Sequence, residues 1–455
     1  MDISSDMLAS IWASLGGNAR DPEQVGFTTA GALPSAFPVT GLAAASMAAA
    51  ALAIETLRQA AGRQAAPIVV DRRLASIWFS TSLRPIDWQM PPVWDPVAGD
   101  YPTRDGWIRL HTNAPHHRAA AERVLGRQTD RAGMAAAVAA WDKRELETAV
   151  VEAGGCAAQM RSAEEWSRHP QGQAVAAEPL VHMETHAAPS GHRDVDPARP
   201  LAGLKVLDLT RVLAGPTATR FLAAYGAEVL RIDPPHWDEP GTVPEVTLGK
   251  RCARLDLRTP QGRAVFEQLL AGADIMLHGY RSDALERLGF GAAWRRRLNP
   301  GLIDVSLDAY GWSGPWATRR GFDSLMQMST GIAHAGMQWK QAGKPCPLPV
   351  QALDHATGYL LAAAAVRGVA ARLGGGALRA RLSLARTAKL LLDQGTGHPQ
   401  EPAFAPETAA DQAPEIERTV WGDARRIAWP ITLQGCRAGW AHPASPLGSA
   451  AAQWR

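Results

Sequence analysis

Two stretches of this chain look like copies of one alanine-rich helical element. Residues 39–57 read VTGLAAASMAAAALAIETL and residues 353–371 read LDHATGYLLAAAAVRGVAA, and each leads into a short β-like run. Aligning the two stretches gives an offset of 314 residues (354 − 40), which sets Thr40 where the second copy has Asp354. Because only one copy keeps a carboxylate, we expect one active centre, with the other copy retained for its packing.

A chain of 455 residues is too long for a typical single core, so two or three domains are expected. Hydrophobic residues at 46% and charged residues at 20% are typical of a folded globular protein. The formal net charge of +3, from 47 basic and 44 acidic residues, gives no electrostatic case for a nucleic-acid-binding protein.

The cysteines and the N-terminal residues indicate a reducing, cytoplasmic setting away from membranes. The sequence MDISSDMLAS lacks the basic-then-apolar pattern of a secretory signal. The alanine-rich runs are weakly apolar and are interrupted by Glu55 and Arg367, so they are poor membrane spans. Four cysteines without CxxC spacing predict neither a zinc site nor a disulfide framework, and no metal is expected: Cys156, Cys252, Cys346 and Cys436.

Composition divides the chain into parts. The stretch from His182 to Pro200 is rich in proline, histidine and charge, has no apolar period and is interpreted as a linker. Residues 394–414 are interpreted as a connector that replaces something larger. The predicted parts are a first half at 1–190 with the degenerate helix copy, a linker at 191–200, a large domain at 201–393, the connector at 394–414 and a closing tail at 415–455.

Strands that alternate with helices predict an α/β large domain with a Rossmann-like parallel sheet covered on both faces. Its expected strands are 204–209, 228–232, 274–277 and 302–307, and its expected helices are 215–226 and 260–271. The sequence pattern of the first half predicts a smaller α+β domain. It contains strand-like runs at 68–71 and 106–111 and helices from about 115 to 166.

The second half resembles a known family. The run LAGLKVLDLTRVLAGPTATRFLAAYGAEVLRIDPP, the segment beginning LGKRCARLDLRTPQGRA and the segment LNPGLIDVSLDAYGWSGPWATRRGFDSLMQMSTGI look like the large domain of the family III coenzyme A transferases, the CaiB/BaiF type. That group is typified by formyl-CoA and carnitine CoA transferases. The resemblance implies that Asp354 is the nucleophile, and that an acyl-CoA and a carboxylic acid are the substrates.

The first half resembles the same family out of order. The stretch DGWIRLHTNAPHHRAAAERVLG looks like the smaller domain, which normally follows the nucleophile helix, and ARRIAWPITLQGCRAGWAHPASPLGS looks like the closing segment. The chain therefore presents a smaller-domain half before a larger-domain half. We expect the two halves to complete one site, within one chain as an intrachain pseudo-dimer or across a homodimer.

Asp354 suits the chemistry of coenzyme A exchange between two acids. Such exchange needs a side chain that can hold an acyl unit as an anhydride and coenzyme A as a thioester, and a carboxylate can do both. Its place at a helix start is expected to bring helix amides near the developing oxyanion. The same position is typical of an ordinary N-cap, and from spacing alone the cap is the commoner role.

Further coenzyme A contacts follow from the resemblance. Cations suit phosphates, although each one alone is more commonly a solvated surface charge. The expected contacts are Leu213, Arg231, Lys250, Arg251, Tyr280 and Arg287. The pair His116 and His117 has no carboxylate at metal-ligand spacing and is interpreted as solvated or helix-capping.

Three functions remain open: an acyl-CoA:carboxylate CoA transferase, a 2-methylacyl-CoA racemase or isomerase of the same fold, and a non-catalytic relative. The racemase branch carries a histidine where this chain has Phe322, and that histidine exchanges the α-proton. His334 and His355 are near in sequence but not at the matching position. A phenylalanine cannot titrate, so the residues favour the transferase.

Overall fold

The computed structural model describes residues 2–188, 194–398 and 401–455. Its helices are α1 (Ile3–Ser14), α2 (Val39–Ala60), α3 (Arg72–Trp78), α4 (Pro115–Leu125), α5 (Arg131–Ala139), α6 (Lys143–Glu152), α7 (Ala163–Arg168), α8 (Pro170–Ala177), α9 (Ala214–Ala224), α10 (Val243–Val246), α11 (Pro260–Ala271), α12 (Ala284–Arg287), α13 (Ala292–Leu298), α14 (Asp323–Ser329), α15 (Ile332–Trp339), α16 (Ala352–Leu373) and α17 (Leu384–Leu392). Single 3₁₀ turns lie at Asp21–Gln24 and Ala409–Asp411.

The strands form one large sheet and several small ones. They are β1 (Val25–Thr28), β2 (Ile68–Asp71), β3 (Leu83–Pro85), β4 (Gly99–Thr103), β5 (Gly106–Leu110), β6 (Ala157–Gln159), β7 (His182–Ala187), β8 (Lys205–Leu209), β9 (Glu228–Asp233), β10 (Lys250–Arg254), β11 (Ile275–His278), β12 (Ile303–Asp308), β13 (Gly376–Ser383), β14 (Gln412–Thr419), β15 (Gly422–Ile427) and β16 (Ile431–Leu433).

The large sheet has seven strands in the order β10-β9-β8-β11-β12-β13-β7. All neighbours are parallel except β13 and β7 at one edge. This confirms the predicted α/β class with a mostly parallel sheet. The chain adds β9 and β10 on one side of β8 and then β11 to β13 on the other. Such a reversal opens a crevice at the carboxyl ends of the strands, where α/β proteins bind their ligands.

Part of the predicted linker is a strand. His182–Ala187 forms β7, which pairs antiparallel with β13 from Gly376 opposite Ala187 to Arg381 opposite His182. An edge strand is held through its backbone and has one solvated side, so its polar sequence shows no apolar period. Residues 189–193 of this stretch lie outside the described residues.

The tail returns to the first half of the chain. Strand β15 pairs antiparallel with β3, and β16 pairs antiparallel with β2 in the small β1-β2-β16 sheet. Strand β14 begins at Gln412, inside the predicted connector, whose residues 399–400 are not described. A separate β4-β5-β6 sheet with α4 to α6 forms a smaller α+β unit with its own apolar core.

The two alanine-rich helices pack against each other at the centre of the main core. Both α2 and α16 contain 22 residues and are almost entirely buried. By length and composition alone, α2 would also pass as a membrane span, because an 18-residue stretch of it has a mean hydropathy of 1.5. In this fold 94% of that stretch is buried inside the protein.

The register of the repeat differs from the one predicted. The helices begin at Val39 and Ala352, so the structural offset is 313 residues (352 − 39), and Gly41 rather than Thr40 matches Asp354. The flanking residues Pro38 and Gln351 share nearly the same backbone angles. The Thr40 hydroxyl lies 3.0 Å from the Ser76 hydroxyl and accepts the Leu33 N–H at 3.0 Å. A one-residue shift between two alanine-rich helices cannot be detected in the sequence, because neighbouring positions carry the same residue type.

Candidate active site

A cleft of about 300 Å³ lies at the point where the sheet order reverses. Its walls include residues at the carboxyl ends of three parallel strands: 210–212 after β8, 279–281 after β11 and 308–309 at the end of β12. Residues 319–322 and Asp354 complete the large-domain side. His116 and His117 of the first half line the same cleft. The cleft is therefore built from both halves of the chain.

Asp354 is the third residue of α16, is 7% exposed and lines this cleft. It does not cap its own helix. The N-cap residue is Gln351, and the carboxylate of Asp323, at the start of α14, accepts the N–H groups of Leu353 at 2.8 Å and Asp354 at 3.0 Å. The ordinary N-cap interpretation of Asp354 is thus wrong, because another helix supplies the cap.

The electrostatics of Asp354 follow from this arrangement. Burial raises the pKa of Asp354 well above its usual range, and the nearby charge of Asp323 raises it further. Burial also raises the pKa of Asp323 to about 6, opposed by hydrogen bonds from Gln327 and the helix amides. Because like charges repel, burying the two carboxyl groups close together disfavours the state in which both are ionised. A carboxylate of raised pKa is a more basic and therefore stronger nucleophile, which is the property that acyl transfer needs.

The expectation that the first amides of the helix stabilise an oxyanion is wrong. The N–H groups of Leu353 and Asp354 donate to Asp323. The Ala352 N–H donates to the carbonyl of Val350 at 2.8 Å, and the His355 N–H to that of Gln351 at 3.2 Å. All four amides of the first turn already have acceptors, so oxyanion donors must come from another wall of the cleft.

His355 points away from the cleft, as its place one residue after Asp354 predicts. Its ring is buried and stacks on Phe79 of the first half with 5.2 Å between ring centroids. Burial lowers the pKa of His355 to about 3. His334 lies on α15 and does not line the cleft. Neither imidazole is placed to act beside Asp354.

Two of the cations predicted for coenzyme A are buried in ion pairs. The Lys250 Nζ lies 3.0 Å from a carboxylate oxygen of Asp208 and donates to the carbonyl of Pro216 at 2.9 Å. The Arg231 guanidinium lies 2.9 Å from Asp233 and also pairs with Glu239. Neither side chain lines the cleft. Their contact with coenzyme A stays a prediction.

The other predicted contacts are distributed around the sheet. Arg251 pairs with Glu228 at 3.2 Å, and the exposed Arg287 pairs with Asp283 at 2.7 Å. Tyr280 lines the cleft. Leu213 is the N-cap residue of α9 and stands between two residues that line the cleft. Of these four predicted residues, Tyr280 is the one that forms part of the cleft wall.

Four arginines that were not predicted from the sequence line the cleft: Arg211, Arg281, Arg319 and Arg320. Arg319 pairs with Glu147 at 3.1 Å. In the part of the chain that the structure describes, Arg211, Arg281 and Arg320 form no ion pair with a carboxylate. Arg211 stacks between the rings of Trp237 at 4.6 Å and Tyr280 at 4.9 Å. Arg211 and Arg281 follow the ends of β8 and β11 closely. Their position after parallel strands is the signal that could have identified them.

The histidine pair is also placed differently from the expectation. His116 is exposed on the cleft wall, but His117 is 3% exposed. Helix α4 has Ala114 as its N-cap residue and no side-chain cap. His117 is therefore neither solvated nor capping.

Comparison with known proteins relates this site to a family. Residues 201–419 match the family model of CoA-transferase family III. An acyl-CoA transferase of Gibberella moniliformis is 31% identical over 303 residues, which are 60% of this chain and 53% of the relative. A probable fatty acyl-CoA transferase of Mycobacterium tuberculosis is 36% identical over 183 residues, 37% of this chain and 46% of the relative.

The succinyl-CoA:glutarate CoA-transferase of Mus musculus is 31% identical over 192 residues, 39% of this chain and 44% of the relative. The chain thus spans about half the length of the curated relatives it matches. Among solved structures, a hypothetical protein from Mycobacterium tuberculosis aligns with a TM-score of 0.41 at 33% identity, covering 44% of this chain and 58% of that chain.

Proposed function

Because residues 201–419 of this chain match the family model of CoA-transferase family III, we propose that the protein transfers coenzyme A from an acyl-CoA to a free carboxylic acid, with Asp354 as the covalent carrier. The observation that carries this proposal is a buried carboxylate of raised pKa in a cleft at the switch point of the sheet. Asp354 lines that cleft and has its helix capped by a different residue, so its side chain is available for chemistry.

The proposed reaction proceeds by balanced exchanges at carbonyl carbons. A carboxylate oxygen of Asp354 attacks the thioester carbonyl of the acyl-CoA, the carbon–sulfur bond breaks, and a mixed anhydride and the coenzyme A thiolate result. The thiolate then attacks the aspartyl carbonyl, which gives an aspartyl-CoA thioester and releases the first acid as a carboxylate. The second acid reverses both steps. No net proton is taken up or released, so the site needs no general base.

Three arginines without carboxylate partners support the binding of an anionic cofactor in this cleft. Arg211, Arg281 and Arg320 line it without carboxylate partners among the described residues. Guanidinium groups bind phosphate oxygens through two parallel N–H groups. We therefore assign the phosphates of coenzyme A to this cationic wall, with the flat face of Tyr280 beside them.

Both halves of the chain contribute to the proposed site. His116 and His117 belong to the first half and reach the cleft that contains Asp354. The first half also holds the turn at 310–316: the Gln171 Nε2 donates to the Tyr310 carbonyl at 2.8 Å, and Glu178 accepts the Trp312 N–H at 2.9 Å. We propose that one chain forms an intrachain pseudo-dimer.

All four cysteines are free thiols, which supports a cytoplasmic setting.

One observation bears on the racemase alternative. Phe322 lines the cleft where that branch has its proton-transfer histidine, but the His117 ring lies 5.7 Å from the Phe322 ring. An imidazole from the first half of the chain thus lies beside Phe322. Burial lowers the pKa of His117 to about 3, which makes it a weak base. This favours acyl transfer over exchange of an α-proton, which requires a base poised near the working pH.

The test is a panel of acyl-CoA donors with acetate, propionate, succinate and glutarate as acceptors, followed by mass spectrometry of the new thioester. We expect coenzyme A exchange that Asp354→Asn and Asp354→Ala lower at least about a thousandfold, as loss of a covalent nucleophile does. Deuterium appearing at the α-carbon in deuterated water, without acid exchange, would instead establish a racemase. A protein that no CoA thioester stabilises thermally would be a non-catalytic relative.

A further inference from the structure

We propose that His117 binds the reacting carboxylate of the acid substrate, from the wall of the cleft that the first half supplies. The inference rests on the transfer reaction proposed above and names the residue that receives the second substrate. It makes His117 a specificity-determining residue rather than a proton carrier.

The burial of His117 is the first observation. The side chain is 3% exposed and lines the cleft, yet neither ring nitrogen has a hydrogen-bond partner among the described residues. A neutral imidazole offers one N–H donor and one acceptor nitrogen. A buried polar group without a partner is costly, so such groups in native proteins call for an explanation. A ligand that accepts a hydrogen bond inside the cleft provides one.

The surroundings select an anion. Arg320 and His116 lie near enough to lower the pKa of His117 further, after the effect of burial. Arg320 donates to the Gly154 carbonyl at 3.1 Å and has no carboxylate partner in the described part of the chain. The His117 imidazole is therefore neutral inside a positively charged corner. A carboxylate would gain both the attraction of Arg320 and the N–H donor of His117.

The neighbouring aromatic rings decide which histidine serves. Phe322 stacks on His111 with 3.8 Å between ring centroids and meets His117 nearly edge-on at 5.7 Å. His111 is also buried, but it does not line the cleft. The same strand-to-helix segment thus provides one histidine that faces the cleft and one that faces the interior. His111 is a matched control for His117.

The position of His117 relative to the nucleophile fits this role. Phe322 immediately precedes Asp323, whose carboxylate accepts the Asp354 N–H at 3.0 Å. An acid held beside Phe322 therefore lies in the same cleft as Asp354. In the second half-reaction its carboxylate oxygen attacks the aspartyl-CoA carbonyl carbon, the carbon–sulfur bond breaks, and the thiolate leaves. His117 keeps its proton throughout.

The experiment compares the full-length wild type with His117→Leu, His117→Gln and His111→Leu. We measure KM for the best acceptor of the acid panel, KM for the acyl-CoA and kcat. Loss of a hydrogen bond to a charged group predicts that His117→Leu raises KM for the acid about tenfold or more, with a smaller effect on KM for the acyl-CoA. His117→Gln, which keeps an N–H donor, should recover part of the affinity. His111→Leu should leave KM for the acid unchanged.

A turnover-independent readout guards against misfolded variants. Titration of propionate into Asp354→Asn, followed by the imidazole NMR signals, should shift the His117 resonances and leave those of His111 in place. Unchanged KM for the acid in a folded His117→Leu, with an aspartyl adduct still formed from acyl-CoA, would overturn this inference alone. Absence of any adduct in the wild type would overturn the proposed function together with it. A fall in α-deuterium exchange on His117→Leu would give His117 the role of a base and overturn acid binding.

Discussion

At Asp354, two carboxylates are buried within one hydrogen-bonded unit, and their charges set the chemistry. Asp323 fixes the first turn of α16 by accepting two of its amides, and its charge raises the pKa of Asp354. Asp323 therefore positions the proposed nucleophile, Asp354, and makes its carboxylate more basic. A carboxylate without this neighbour would ionise more easily but would attack a thioester less readily.

This coupling predicts how activity depends on pH. Because the pKa of Asp354 is raised, the fraction of reactive carboxylate grows as pH rises, and kcat/KM should climb along an acidic limb that lies well above the usual pKa range of a carboxyl group. In Asp323→Asn the neighbouring charge is gone, so this limb should move to lower pH. The measurement is kcat/KM between pH 5 and 9 for both proteins. A limb that stays in place in the folded variant would contradict the coupling.

The family resemblance singles out Asp354 in the sequence, and the structure places this residue on the cleft wall, while its role as nucleophile stays a prediction. Asp323 could not be assigned its role in the same way. It acts on α16 only because α14 docks beside it, and that contact is tertiary. His117 was misinterpreted for a similar reason, since the wall it faces belongs to the other half of the chain.

At the scale of elements, α2 and α16 are two copies of one helix, and only α16 carries a carboxylate at the position of Asp354. Gly41 holds the position of Asp354, and a Cβ atom there would lie only 3.0 Å from the Ile3 side chain of α1. The first copy therefore has room for packing but not for a carboxylate. Helix α1 covers the place where the second copy opens into its cleft.

Introducing an acid at this position should be harmful rather than catalytic. Gly41→Asp would bury an unpaired carboxylate and displace α1, so we expect the free energy of unfolding to fall by about 3 kcal/mol. Thr40→Ala is the neighbouring control: it removes hydrogen bonds to Leu33 and Ser76, for about 1 kcal/mol, and leaves transfer unchanged. Chemical denaturation measures both values. A Gly41→Asp protein as stable as the wild type would contradict the structural register.

Elements with a strong local signal were confirmed closely. The helix Pro260–Ala271 and the strand Ile68–Asp71 have the bounds that their patterns predicted. Strand β7 was missed because an edge strand needs only backbone pairing, and the one-residue error in the repeat arose because alanines give no register.

At the scale of the whole molecule, the two halves are joined through shared sheets and a buried ion-pair network. Glu245 of α10 accepts the N–H groups of Ser82 and Leu83 of the first half, each at 3.0 Å. It also pairs with Arg220 and with Arg426 of the tail. Because these contacts cross from one half to the other, neither half buries its polar groups alone. The motifs in the sequence could not predict this interlocking, because it depends on tertiary contacts.

Separating the halves tests this interdependence. We expect residues 1–190 and 200–455, produced singly, to be inactive and unstable, because strands β7, β15 and β16 each lose the partner strand they have in the other piece. Co-expression of the two pieces should restore a complex with transfer activity. Full activity of residues 200–455 alone would show that His116 and His117 are dispensable and would contradict a site shared between the halves.

The central claim is that Asp354 carries the acyl group and coenzyme A covalently, and hydroxylamine trapping during turnover tests it most directly. Hydroxylamine attacks an activated aspartyl carbonyl and leaves a hydroxamate at the residue that was acylated. Peptide mass spectrometry should then find the hydroxamate at Asp354 only when acyl-CoA is present, and Asp354→Asn should show no label. A hydroxamate on another residue, or turnover without any labelled residue, would contradict the account.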